Sequence, residues 1–180
     1  MALSCAWRCW IMLAWLAGTM SLGCERLRIH NTKTLGKLIE MGGRLPRHCV
    51  TRRVALQTQP LDLITLSKNL NAEDKIRVIH QTLDQINKTF TQNLSTAPWD
   101  AALLEGFRIL LIQQLEDLRG CVREPLSYSN SEEIQEYFGK LREFLELERF
   151  GECAWKIVCS QTKARLQQIQ TIIAKISKSN

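Results

Sequence analysis

The sequence predicts an all-α protein: a bundle of five helices with a long first crossover connection. Three observations predict it. Apolar residues recur at intervals of three and four along most of the chain. No stretch alternates apolar and polar residues as a half-buried strand would. Most periodic stretches are bounded by helix start or stop signals. With 180 residues, 45% of them hydrophobic, the chain has the length of one domain and enough apolar content for a core.

Leu27, Leu35, Leu38 and Met41 suggest a first helix from Cys24 to about Met41, with the least regular period of the five. Gly42-Gly43 ends it. From Gly42 to Leu70, a stretch that holds Pro46 and Pro60, no period persists. A connection this long is usually a functional loop or a crossover. Ile76, Ile79, Leu83, Ile86 and Phe90 then share one helix face, behind Asn71 as N-cap and Asp74 three residues later. A third helix starts near Pro98, with Leu103, Leu104, Phe107, Leu111, Leu115 and Leu118 as its stripe and Gly120 as a left-handed stop. A fourth starts after Ser129, with Glu132 completing a capping box. Its stripe is Ile134, Phe138, Leu141 and Leu145, and Gly151 ends it. The last begins near Cys153 and carries Trp155, Val158, Thr162, Leu166, Ile169, Ile173 and Ile176. A bundle with a long crossover is of the up-up-down-down kind.

Residues 1–23 read as a secretory signal peptide outside the fold. Arg8 is their one charge, Ile11–Ala17 is a short apolar run, and Ser21-Leu22-Gly23 offers small residues to a signal peptidase. The run is too short to span a bilayer, which weighs against a membrane anchor. Residues 24–180 form the mature domain, expected to be soluble, secreted and extracellular. Cys24, Cys49, Cys121, Cys153 and Cys159 remain in it. In an oxidising compartment four of these can form two bridges, leaving one over. Cys159, beside the core stripe, is expected to be a partly buried free thiol. Asn87-Lys88-Thr89 and Asn93-Leu94-Ser95 are glycosylation acceptors that fit secretion.

Enzyme chemistry is absent. The histidines are His30, His48 and His80, and there is no H-E-x-x-H, G-x-S-x-G or P-loop pattern. His48 and Cys49 are adjacent, so they rarely face each other, and a secreted cysteine is more often bridged. The glutamates from Glu132 to Glu148 read as a solvated helix face. No His/Cys cluster has metal-ligand spacing, so neither metal nor cofactor is expected. The formal net charge of +6 is unevenly distributed. From Arg26 to Arg53 there are eight Lys/Arg residues and one acid, Glu40, whereas Asn130 to Glu152 is acidic. Secretion argues against nucleic acid, so the basic half points to an acidic receptor surface or to weak binding of heparin-like polyanions.

Three blocks of residues carry a family resemblance. The first is Trp99-Asp100, Phe107, Leu111, Gln113-Gln114-Leu115, Asp117-Leu118 and Cys121-Val122. The second is Tyr137-Phe138, Leu141 and Phe144-Leu145. The third is Cys153-Ala154-Trp155, with seven residues between Leu145 and Cys153. Together they resemble the type I interferons, and the second and third make up that family's signature. Cys24, and Met41 eight residues before Cys49, extend the likeness to nearly the whole mature chain. Trp99, Phe107 and Trp155 read as core residues that identify the family rather than form a site.

The resemblance implies a cytokine bundle that binds a heterodimeric cell-surface receptor on opposite faces and starts antiviral JAK-STAT signalling. It implies a receptor contact formed by the long connection and the last helix. Here that contact would use Val50, Arg52 and Arg53, with Lys156, Ser160, Lys163 and Gln167 on the polar face of the last helix. Lys156 stands where the family usually has an acid, Cys159 where it often has an arginine, and Ala164 at another basic position. These features, and the short connection from Cys121 to Tyr137, look like the four-cysteine fish interferons. With Cys159 set aside, three pairings are open. The expected one is Cys24–Cys121 with Cys49–Cys153, which the resemblance also implies. Competing readings are another helical cytokine, such as an interleukin-ten relative, and a cationic host-defence protein acting on membranes.

Overall fold

The computed structural model describes residues 26–177 apart from 57, 93, 95, 96 and 123–130. All regular structure among them is helical. Helix α1 spans 26–42. Two short helices follow in the long connection, α2 (Arg47–Val50) and α3 (Leu63–Leu66), with a 3₁₀ turn at Thr51–Ala55. The long helices α4 (Ala72–Thr89), α5 (Ala101–Arg119), α6 (Glu132–Leu147) and α7 (Glu152–Ile176) complete the bundle.

The buried face of α1 is Leu27, Asn31, Thr34, Leu38 and Met41, spaced four, three, four, three. Two of these five are polar, which is why the period is hard to see in sequence. Each makes a hydrogen bond to a neighbouring helix, although the Asn31 side-chain oxygen is buried with no protein partner among the described residues. The Asn31 side chain donates to the Leu166 carbonyl at 3.0 Å. The Thr34 hydroxyl donates to the His30 carbonyl and accepts from the Gln114 amide. Leu35, expected on this face, sits at its edge and is partly buried. His30 Nδ1 lies 2.5 Å from Asp117 Oδ2. His30 thus pairs with Asp117 and Thr34 with Gln114, so α1 runs antiparallel to α5. The contacts of Asn31 with Leu166 and of Gly42 with Lys156 make it antiparallel to α7 as well.

Helix α4 packs on α5, α6 and α7. Asn71 caps it by accepting from the Asp74 amide at 2.8 Å. The stripe from Ile76 to Phe90 is buried throughout. Phe90, at the end of α4, meets Trp99 and Phe107 near the start of α5, at centroid distances of 5.8 and 4.9 Å. These two helices are therefore antiparallel. With α1 and α4 running one way and α5 and α7 the other, the connection between α1 and α4 must cross the length of the bundle. Trp155, fully buried on α7, closes the aromatic cluster against Phe90, Trp99 and Phe150. Each such pair adds about 0.5–1.5 kcal/mol beyond area burial.

Four boundaries differ from the sequence reading. Helix α5 starts at Ala101, three residues past Pro98, because the Asp100 carboxylate caps it by accepting from the Ala102 and Leu103 amides. Gly120 closes α5 in the right-handed region, at φ −76°, so it is not a left-handed stop. The residue before α6 is Ser131, and its side chain makes no cap. Gln81 of α4 serves instead, donating to the Ser131 carbonyl and accepting from its amide, both at 3.1 Å. Ser129 lies outside the described residues. Finally, Gly151 does not end α6, which stops at Leu147. Arg149 and Phe150 adopt positive φ, at 51° and 55°, and Gly151 precedes the first turn of α7 at φ −64°. The strain at Phe150 is offset by its amide bond to the Leu145 carbonyl and its ring against Trp155. Glycine is favoured at 151, because a Cβ there would stand 3.2 Å from the Glu148 carbonyl oxygen, closer than ordinary contact.

Candidate functional site

The long connection lacks a period because it is built of short turns. Few of its side chains are buried, Cys49, Leu61, Leu63 and Ser67 among them. Two links hold it to the bundle. Cys49 is disulfide-bonded to Cys153 at the start of α7, with Cα atoms 5.1 Å apart, across 104 residues of sequence. Arg52 donates from Nη1 to Glu148 Oε2 at 2.8 Å. Val50 between these links (50%) and Val54 just past the second (83%) are exposed, and Leu147 of α6 is exposed too (75%), in a hollow shared with Ala55 and Leu56. Arg53 is exposed too, and its charge reaches Tyr137.

Farther along, the connection packs on one flank of α7. The Leu63 amide donates to Gln168 Oε1, and the Asp62 carboxylate caps α3. Hydrogen bonds from Thr65 and the amides of α3 hold the Asp62 carboxyl below its ordinary pKa. On this flank Tyr137 donates to Gln161, and the Arg165 guanidinium lies over the Tyr137 ring at 5.2 Å. Burial raises the Tyr137 phenol above its ordinary pKa.

The opposite flank of α7 faces α1. Lys156 is half-buried and donates to the Gly42 carbonyl at 3.4 Å. Ser160, Lys163 and Gln167 are exposed. Lys156, Ser160 and Lys163 share an open hollow with Arg44 and Leu45. The seven residues singled out in the sequence therefore form two groups. Val50, Arg52 and Arg53 lie where the connection crosses α7 toward α6, and Lys156, Ser160, Lys163 and Gln167 lie along the α1 flank. Sequence reasoning missed Arg44, Val54, Leu147 and Glu148. Arg44 was visible only as one member of a basic run. Glu148 looked like any other acid of a solvated helix.

Cys159 is buried against Gly42 and, among the described residues, is in no disulfide. Burial pushes its thiol pKa well up. Cys121 is buried, but its expected partner Cys24 lies outside the described residues, as do residues 1–23 and Asn93. Asn87 is half-buried in the last turn of α4, and Thr89 of its sequon is fully buried with its hydroxyl on the Gln85 carbonyl. Possible ligand atoms of His48, Cys49 and Cys153 lie within 4.8 Å of one another. Both sulfurs are in the disulfide, which leaves one imidazole, too few ligands for a zinc site.

A model of the interferon alpha/beta domain matches residues 24–176. The chain belongs to the interferon alpha/beta family. It is 28% identical to interferon tau of Cervus elaphus over 172 residues, covering 88% of this chain and 86% of the relative. It is 26% identical to interferon a3 of Oncorhynchus mykiss over 176 residues, covering 95% and 97%. Zebrafish interferon 1 superposes with a TM-score of 0.69 at 26% identity, covering 86% of this chain and 98% of that one. Zebrafish interferon 2 shares the fold, with a TM-score of 0.59 at 20% identity. This interferon is fish-like and all-helical. It belongs to a family of cytokines and is not an enzyme. No helix among its described residues is long and apolar enough to cross a membrane.

Proposed function

We propose that this interferon is secreted after removal of residues 1–23, binds a two-chain cell-surface cytokine receptor and triggers JAK-STAT antiviral signalling. The observation that carries this reading is the doubly tethered crossover. The Cys49–Cys153 bridge and the Arg52–Glu148 pair hold Val50, Arg53 and Val54 outward beside α7. Pre-ordering a loop lowers the entropy lost on binding, and Arg53 is of a residue type enriched in binding hot spots, with exposed valines around it that can exclude water. Lys156, Ser160, Lys163 and Gln167 extend the surface along α7. The same basic surface is open to heparin-like polyanions. N-linked sugar is expected at Asn93 sooner than at Asn87, whose sequon threonine is buried.

The test is to add purified mature protein to receptor-bearing cells of its own species and read STAT phosphorylation. A response is expected. Silence, with receptors demonstrably present, overturns the reading. Val50→Ala with Arg53→Ala should weaken receptor binding by about tenfold or more while leaving the melting temperature unchanged, because both side chains are exposed. An equal loss of stability would make the two residues structural.

A further inference from the structure

Several cations of the long helices are paired with acids of their own helix. Lys37 meets Glu40, Lys88 meets Asp84, Arg108 meets Glu105, Arg119 meets Glu116 and Lys140 meets Glu143. Arg44, Lys156 and Lys163 are different. All three line the same open hollow, of about 210 Å³, between the end of α1 and the first half of α7. Among the described residues, none of the three has a carboxylate within ion-pair distance. The surrounding sequence explains why. No acid occurs between Gly42 and Leu61, and none between Cys153 and Ile176.

We propose that this hollow binds the sulfate groups of a sulfated polysaccharide of the heparin kind, and that polysaccharide and receptor exclude one another there. The exclusion rests on the receptor reading above, whereas the binding does not. The carbonyl end of α1 would repel an anion. Lys156 covers it, with its ammonium on the Gly42 carbonyl at 3.4 Å. Arg44 can offer a planar fork of donors to a sulfate, Lys163 an ammonium and Ser160 a hydroxyl. The hollow is open rather than enclosed, so a single small anion would stay largely hydrated. A linear polymer can bring successive sulfates and run on from the hollow along the exposed face of α7 past Gln167. Each cation that displaces a counterion from such a polymer steepens the salt dependence of binding by about one unit of log affinity per log salt.

The experiment titrates full-length mature protein with heparin over a range of salt. It compares wild type with Arg44→Ala/Lys156→Ala/Lys163→Ala and with Lys88→Ala/Arg119→Ala/Lys140→Ala, which removes equal charge from the paired surface. The salt slope is expected to fall by about two to three in the first variant and by less than about one in the second. Unsulfated dextran should not bind. Equal losses in both variants, or binding that survives in the first, overturn the site. Lys163→Glu alone, at an exposed position, supplies the same test should the triple variant fold poorly. Heparin is also expected to displace a soluble receptor ectodomain. A ternary complex of receptor, protein and heparin overturns the exclusion and leaves the receptor reading standing. Absence of receptor binding without heparin defeats the receptor reading and leaves the glycan site standing.

Discussion

Arg52 and Glu148 are 96 residues apart in sequence, yet Arg52 Nη1 and Glu148 Oε2 are 2.8 Å apart. The arginine is mostly exposed and the glutamate mostly covered. An ion pair this open contributes little to stability, about 0.2–1 kcal/mol. Its expected effect is on the direction of the 3₁₀ turn that carries Arg53 and Val54. A double-mutant cycle of Arg52→Ala and Glu148→Ala should therefore show weak coupling in thermal melts and stronger coupling in receptor affinity. Weak coupling in both would show that the pair does not orient the turn.

The disulfide acts on a larger scale. Replacing Cys49 and Cys153 by serine frees a loop of 104 residues, and chain entropy puts the loss of unfolding free energy at up to about 4–5 kcal/mol. Denaturant unfolding measures it. Receptor affinity should fall together with stability, because Val50 lies next to the bridge. Unchanged stability would mean that packing of the crossover suffices alone.

Cys159 should behave as an inert core residue. Its thiol is buried and its pKa is raised by burial, so little thiolate forms at neutral pH. Alkylation of the native protein should leave Cys159 unmodified until denaturant is added, and Cys159→Ser should not change the oligomeric state on non-reducing gels. Gly42→Ala probes the same contact from the other side. Its new Cβ would lie 3.3 Å from the Cys159 Cβ, an atom fixed to a helix backbone that cannot swing away. A loss of roughly 1 kcal/mol is expected. A gain in stability would show that α1 and α7 separate easily there.

His80 on α4 gives a pH dependence. Burial lowers its pKa below the ordinary 6.5, opposed by Asp84 and aided by Arg119. The native state then binds fewer protons than the unfolded state in the window just below pH 6.5. The stability linked to His80 is full above that pH and is lost as pH falls through the lowered folded value. Thermal melts of His80→Gln should fall less steeply than those of wild type over this window. Parallel curves would show that the imidazole titrates alike in both states.

The bundle was legible where burial and apolarity coincide. The α4 stripe from Ile76 to Phe90 and the α7 stripe from Trp155 to Ile176 announce themselves because nearly every inward position is apolar. Helix α1 was harder, because Asn31 and Thr34 occupy two of its five inward positions and their partners come from α5 and α7. The cap of α6 was not legible at all, since Gln81 supplies it from another helix. The positive φ at Arg149 and Phe150 runs against residue preference, which pointed to Gly151 instead. The candidate site was half legible. Val50, Arg53 and the α7 face could be named, but the clustering of Lys156 and Lys163 with Arg44, and the tether to Glu148, are properties of the folded chain.

The tight link at Arg149 and Phe150 works as a ruler. Its amide bonds to the Leu145 and Glu146 carbonyls leave no slack between the end of α6 and the first turn of α7. A residue inserted there and taken up as helix would turn the start of α7 by about 100° relative to α6. One insertion would swing Cys153 away from Cys49 and rotate Trp155 out of the aromatic cluster. Substitutions in this link away from Glu148 and Gly151 can thus be absorbed side chain by side chain, while a change of length that shifts α7 by even one residue disconnects the crossover and unseats the core in the same step.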